Sequence, residues 1–463
     1  MKLHLINKRH KYIILIITLL FVSIAFLVDG AVVAKDTQGY LDMSINREAG
    51  YALFLNFFKT IFGESYQIFA VIFQMLLLAV SIYALTFTVV SIWNLAPFSA
   101  YVIWTIQICF LLLCRFGSGM QAFYASTLLT EGVTYPLYAL FIKAVLQLNQ
   151  KITAKRLTEC IIYCTLLTFV RTQLMVTFFA LIAFFILKKI FRLTSIKELA
   201  GVLIGCLAGI FLVMGGERIY IRTLYGVDGG TVGGNSFLLT AGLYGADAED
   251  VALFEEEEEQ YIFSELYKIA DERKANKKYE PANGFLHKAE YYTQNFDVIK
   301  FEVTSPWLYQ YFMDQGITDS VTIELEIDKI GKKIGIPLFM DNVEVKIRIF
   351  LEECVRGYMR TIAKGSVYLL PFVIIAYGGY LLLMFRSLKS KKISDAGWAG
   401  LFVLIIMTGN IFITAFMIFC EPRYVLYNMA PFYVMGYAML AQVYRQKKEI
   451  QNRDSSIMSN NME

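Results

Sequence analysis

Histidine is nearly absent, at three in 463 residues, and the seven cysteines show no metal-ligand spacing. A histidine-rich metal centre is excluded, and the lone His287 reads as structural or exposed. Cys109, Cys114, Cys160, Cys164, Cys206 and Cys420 fall in or beside apolar runs and read as small core residues. A disulfide among Cys114, Cys354 and Cys420 is left open. Charge is scarce too: 18% of residues are charged and the formal net charge is +4, which gives no reason to expect a nucleic-acid partner. No internal repeat is evident. The glycine-rich stretch 226–234 (GVDGGTVGG) follows no strand and lacks the lysine of a phosphate loop, so nucleotide binding is not expected.

Apolar residues make up 57% of the chain and are gathered in blocks long enough to cross a bilayer. The fold class is therefore all-α integral membrane, and 29 Tyr and 37 Phe suit interfacial belts and packed spans. Lys2, Lys8, Arg9 and Lys11 precede a first span over residues 12–34 and place the N-terminus inside. That run exceeds a signal-peptide core, so an uncleaved span is expected. Residues 35–65 then form a first outer loop, in which 51–62 is too short to span and reads as an interfacial helix. Further spans follow over 66–93, 99–114 and 121–148. A pair of short helices with Arg171 at the outer surface between them accounts best for the basic runs 151–156 and 188–192. A seventh span, 199–214, exits at Gly215.

Composition changes over 216–361 to that of an outer-face soluble segment, whose acidic run 255–259 reads as a solvated helical face. Three last spans fall in 362–445, and residues 446–463 form a cytoplasmic tail, polar and disordered from 452 on. The chain thus divides into an N-terminal membrane module 1–215, the outer segment 216–361, the C-terminal spans and the tail. About ten spans put every dense basic cluster on one side, with both termini cytoplasmic.

This topology brings Asp36, Arg115, Arg171 and Arg423 to outer span ends. A carboxylate leaving water is costly unless used or paired. A guanidinium at a span end either snorkels to phosphate or binds an anionic substrate through paired N–H donors. Asp36 beside arginines suits transfer from a phospho-lipid, the carboxylate taking a hydroxyl proton and the guanidinium holding the leaving phosphate. Asp42 and Arg47 lie in the same loop. Glu131, in LLTEGVTYPLY, is the acid deepest in an expected span, either functional or hydrogen-bonded to Tyr124 or Tyr135. Tyr424 and Tyr427 follow Arg423 at helical spacing and read as substrate-facing or as an aromatic belt.

The pieces KDTQGYLDMS, REAGYALFLNFFKTIFG, TEGVTYPLYAL, FVRTQL and EPRYVLYNMAPF, in that order, resemble the GT-C superfamily of membrane glycosyltransferases. The resemblance implies a multi-span helical bundle, a polyprenyl- or dolichyl-phosphate sugar donor, an extracytoplasmic acceptor and inverting transfer. It carries a catalytic acid over to Asp36 and phosphate-binding basic residues to Arg423 and Arg171. The second acid that follows the first in mannosyltransferases has no counterpart after Asp36. No cofactor is called for; a divalent cation stays open, although no ligand set is visible. The competing expectations are a transporter or lipid flippase, for which Glu131 is the one residue placed at depth, and a non-catalytic subunit of a glycan assembly system.

Overall fold

A computed structural model describes residues 8–117, 121–282, 284–363 and 367–460. The described chain is helical, with an isolated bridge between Val32 and Thr127 as its one β pairing. Lys2, which contributes to the orientation argument, lies outside the described residues, as do residues 461–463. The tail expected to be disordered instead continues the Met429–Asn460 helix.

Among the described residues, seven helical stretches are long and apolar enough to cross a membrane: Lys8–Asp29, Ala49–Ile92, Phe98–Phe116, Thr172–Ile190, Ile196–Tyr225, Leu370–Lys389 and Ser394–Met417. Three further helices expected to span are outside this set for a physical reason. Thr130–Gln150 carries Glu131, Lys143, Gln147, Asn149 and Gln150, and its neighbours bury it along most of its length. Ala154–Val170 is only 17 residues long, and Met429–Asn460 ends in a polar half.

The helix expected in the interface packs on a span. Ala49–Phe62 turns at Gly63, where φ is +53°, and packs antiparallel on the start of Tyr66–Ile92. Phe62 stacks on Phe69 at 3.9 Å between centroids, Phe58 and Phe54 meet Phe73 at 5.8 and 5.7 Å, and the Tyr51 hydroxyl donates to Gln74 at 3.0 Å. The helix buries Tyr51, Ala52, Leu55 and Phe58 there and leaves Leu53, Phe57 and Ile61 exposed.

Ala154–Val170 and Val176–Ile190 form a hairpin with Arg171 at its tip. Ile161 and Thr165 on one arm, and Phe178 on the other, pack on Gly205 and Gly209 of the same Ile196–Tyr225 helix. That helix continues to Tyr225, ten residues past the exit expected at Gly215.

The outer segment has its own core, built around Phe263, Phe296, Ile334 and Leu338. Gly234–Gly245 packs on Ser320–Asp341 through Gly331, Gly335 and Gly242, where an added Cβ would fall within about 3 Å of backbone or side-chain atoms. Glu255 to Glu258 of the acidic run are exposed, as expected, while Glu259 is half-buried, and Glu256 and Glu259 pair with Lys333. All seven cysteines are free.

Candidate functional site

Non-helical backbone is tolerated at membrane depth only where protein buries it or it lines a cavity. Four breaks in the α-helices gather at one end of this bundle: residues 30–36, residues 121–129 with a single 3-10 turn at Tyr124–Ser126, Arg171, and residues 418–421. The first two run side by side. Val32 N–H donates to Ser126 O and Leu128 N–H to Val32 O, both at 2.9 Å, and the Thr37 hydroxyl donates to Leu128 O at 2.9 Å. Gln74, fully buried in Tyr66–Ile92, satisfies the remaining carbonyls by donating to Ala125 O and Thr127 O at 2.9 Å. Gly132 packs flat on the Gln74 amide, where a Cβ would sit 2.4 Å from Nε2.

This pinned backbone presents Asp36 at the start of the short Thr37–Leu41 helix. Arg47 Nη2 donates to its Oδ1 at 2.8 Å, and Arg423 Nη1 lies 3.7 Å from Oδ2. Asp36 retains 37% side-chain exposure and Arg423 35%, so both remain within reach of an incoming ligand. The loop that returns to Arg47 is fixed by a left-handed turn at Met43 (φ +53°), whose carbonyl accepts from the Tyr225 and Tyr220 hydroxyls. Val232 N–H, in the glycine-rich stretch, donates to Ile45 O at 3.3 Å.

Arg423 also donates to Glu421 at 3.1 Å and to the Tyr424 hydroxyl at 2.7 Å. Its guanidinium lies 4.8 Å from the Tyr424 ring, and Arg171 lies 5.0 Å from the same ring. Arg171 is committed elsewhere, donating to Glu131 at 2.6 Å, to the Tyr427 hydroxyl at 3.0 Å and to Thr130 at 3.3 Å. Glu131, 5% exposed, therefore has an arginine partner and not the Tyr124 or Tyr135 hydroxyl that was one of its two expected readings, and Arg171 makes all three of these bonds through Nη1. The two charge pairs, Asp36 with Arg423 and Glu131 with Arg171, meet across Tyr424.

Two other expected site residues are placed apart. Arg115 pairs with Asp29 at 2.7 Å, and Asp29 also accepts from Phe123 N–H, so Arg115 fastens the end of the first helix to the 121–129 segment. Asp42 is exposed and accepts from Gln38 at 2.7 Å. The cross-chain partners Asp29 and Gln74 were not singled out by sequence; a glutamine alone in a long apolar run is the signal that marks Gln74.

A further group holds Arg423 from the outer segment. Glu353, fully buried, accepts from Cys420 N–H at 2.7 Å, and Arg360 donates to Cys420 O at 2.7 Å. Arg356 donates to Glu353 at 2.8 Å and also to Glu290. Both backbone groups of Cys420, three residues before Arg423, are thus clamped by the Val343–Ala363 helix.

The outer segment also turns charge toward the site. Burial, with Glu421 adding to it, pushes the Asp297 carboxyl up against the opposing pull of Arg423. Burial also raises Glu324. Lys300 donates to Ser236 at 2.6 Å with its ammonium 3.6 Å from the Phe237 ring centre, and burial pushes it down to about 8, Arg47 adding to the effect. Its folded value lies below the roughly 10.4 of an unfolded lysine. The unfolded chain therefore binds more protons between about pH 8 and 10, and stability rises with pH across that window. Thermal unfolding of Lys300→Met at a series of pH values is expected to show a flatter rise there than the parent.

Among the described residues no group of three or more His, Cys, Asp and Glu side chains is placed to hold a metal ion. What the arrangement offers is a half-exposed carboxylate between two guanidiniums, backed by a buried ion pair. Compared with known proteins, the chain matches no protein-family model, no curated protein and no solved structure.

Proposed function

We propose that the chain is a GT-C-like glycosyltransferase of about ten spans. It lies in the cell membrane with its site on the extracytoplasmic side and both termini in the cytoplasm, and it moves a sugar from a polyprenyl-phosphate donor to an external glycan, lipid or protein. The observation that carries this reading is Asp36, held 2.8 Å from Arg47 and 3.7 Å from Arg423 while still partly exposed. An anionic head group competes with Asp36 for Arg423, the looser of its two contacts. Displacement gives the phosphate a guanidinium and leaves Oδ2 of the carboxylate free to accept a proton while Arg47 holds Oδ1.

In the transfer, the bond from the anomeric carbon to the phosphate oxygen breaks with its electron pair going to the lipid phosphate. The acceptor oxygen bonds the anomeric carbon from the opposite face and gives its proton to Asp36. Arg423 and Arg47 offset the charge developing on the leaving phosphate. Tyr424 and the Glu131–Arg171 pair hold Arg423 in position, and no step calls for a cofactor.

Cells lacking the protein are expected to accumulate one polyprenyl-phosphate sugar and to lose one surface glycan decoration, read by mass spectrometry of both pools. Unchanged pools would remove this reading. A transporter or lipid flippase is the second reading, favoured by the buried Glu131–Arg171 pair, since intramembrane ion pairs mark substrate paths. Lipid flipping by the purified protein in proteoliposomes, without sugar transfer, would select it.

A further inference from the structure

The Val343–Ala363 helix carries its polarity the wrong way round for a segment surrounded by water. Its charged residues turn inward: Lys346, Glu352, Glu353 and Arg356 are buried, and Arg348 and Arg360 are half-buried. Val343, Ile347, Leu351 and Val355, at intervals of four residues, face outward at 40, 55, 53 and 43% exposure. Glu344, in the first turn, is the one exposed charge on the helix. An amphipathic helix in water would show the reverse.

The same helix runs along Ser394–Met417, one of the apolar stretches able to cross a membrane. Phe350 meets Phe412 at 5.5 Å, and the Tyr358 hydroxyl donates to Thr408 at 2.9 Å. Thr408 lies nine residues from the end of that helix, roughly 14 Å at 1.5 Å per residue. The outward stripe is continuous with Phe412 and Phe416, exposed on the spanning helix itself, and with Ile336 and Met340 of Ser320–Asp341. Phe339 and Phe416 close the seam at 6.0 Å.

We infer that the outer segment is not held clear of the bilayer: its Val343–Ala363 helix is sunk in the outer leaflet, with the Val343, Ile347, Leu351 and Val355 stripe against lipid acyl chains. The occupant follows from continuity, because whatever solvates Phe412 and Phe416 on the spanning helix also solvates the stripe beside them. Glu353, Arg348, Arg356 and Arg360 are paired within the protein and Glu352 reaches Arg348 through one oxygen, while the Lys346 ammonium has the Tyr292 and Phe339 rings beside it. Glu353 and Arg360, which grip Cys420, therefore sit on an element anchored by lipid. This inference is independent of the transfer chemistry.

The test places single cysteines in a Cys109→Ser background, since Cys109 is the native cysteine at the surface. Leu351→Cys and Ile347→Cys are compared with Lys268→Cys, an exposed position elsewhere in the outer segment. In proteoliposomes, a membrane-impermeant maleimide is expected to label Leu351→Cys and Ile347→Cys at least about tenfold more slowly than Lys268→Cys, because the thiol lies out of water. A bimane fluorophore attached at position 351 in detergent should then be quenched by phosphatidylcholine with brominated acyl chains, to the same extent at high and low protein-to-lipid ratios. Labelling as fast as at position 268 would overturn the inference. So would protection without lipid quenching, or protection lost on dilution to one copy per vesicle, since either assigns the stripe to a protein partner.

Discussion

Asp36→Asn is expected to abolish sugar transfer, with a loss on the order of 10²–10⁴-fold, the usual contribution of a positioned general base. Asparagine has nearly the same shape and loses only the charge. The contacts it gives up, to Arg47 and Arg423, join side chains 30 to 37% exposed and contribute no more than about 1 kcal/mol each. Thermal unfolding should therefore change little. Arg423, released from its competitor, should bind polyprenyl phosphate as well as the parent or more tightly. The pairing of lost turnover with retained binding separates a base from a residue that merely holds the loop together. Parental turnover in the asparagine variant would end the assignment of Asp36 as the base.

Glu131→Gln is expected to be the most destabilising of the site substitutions. Its carboxylate, 2.6 Å from Arg171, is the counter-charge of a guanidinium buried among Tyr424, Tyr427 and Thr130. Removing one partner of a buried pair costs about 3–5 kcal/mol, because the remaining charge is left uncompensated. Adding Arg171→Met removes that charge and should recover much of the stability. A double-mutant cycle on thermal unfolding of the detergent-purified protein measures the coupling. A Glu131→Gln protein as stable as the parent, with no coupling to Arg171, would show that the pair does not hold the bundle together.

Much of the membrane character was legible because apolar runs and basic clusters are local quantities. The hairpin tip at Arg171 followed from two basic runs that must share a side, and the structure places the residue there. Asp36, Arg171 and Arg423 could be projected to one end of the bundle for the same reason. Which charge answers which could not be projected. Arg115 has the same sequence context as Arg171, a guanidinium ending an apolar run, yet it meets Asp29 while Arg171 meets Glu131.

The interfacial helix shows the same limit from the apolar side. Residues 51–62 are too short to span, which in sequence favours the interface. One face of their apolar surface is covered by a neighbouring helix, and Gly63 supplies the reversal that makes Tyr66–Ile92 that neighbour. In the Val343–Ala363 helix the charged residues hid the lipid-facing stripe, since hydropathy averages around the helix and is blind to which side faces out.

By itself, then, the sequence determined that this is a helical membrane protein and where most of its long apolar runs lie. It also determined that a carboxylate and several arginines lie near the ends of apolar runs. Those properties depend on composition within one helix length and on the cost of charge in hydrocarbon. Only the tertiary structure decided that Asp36 is shared by Arg47 and Arg423 and that Glu131 neutralises Arg171. It alone decided that Glu353 and Arg360 clamp Cys420. These pairings join residues up to hundreds of positions apart, and a charge pair acts over a few ångströms that only packing can set.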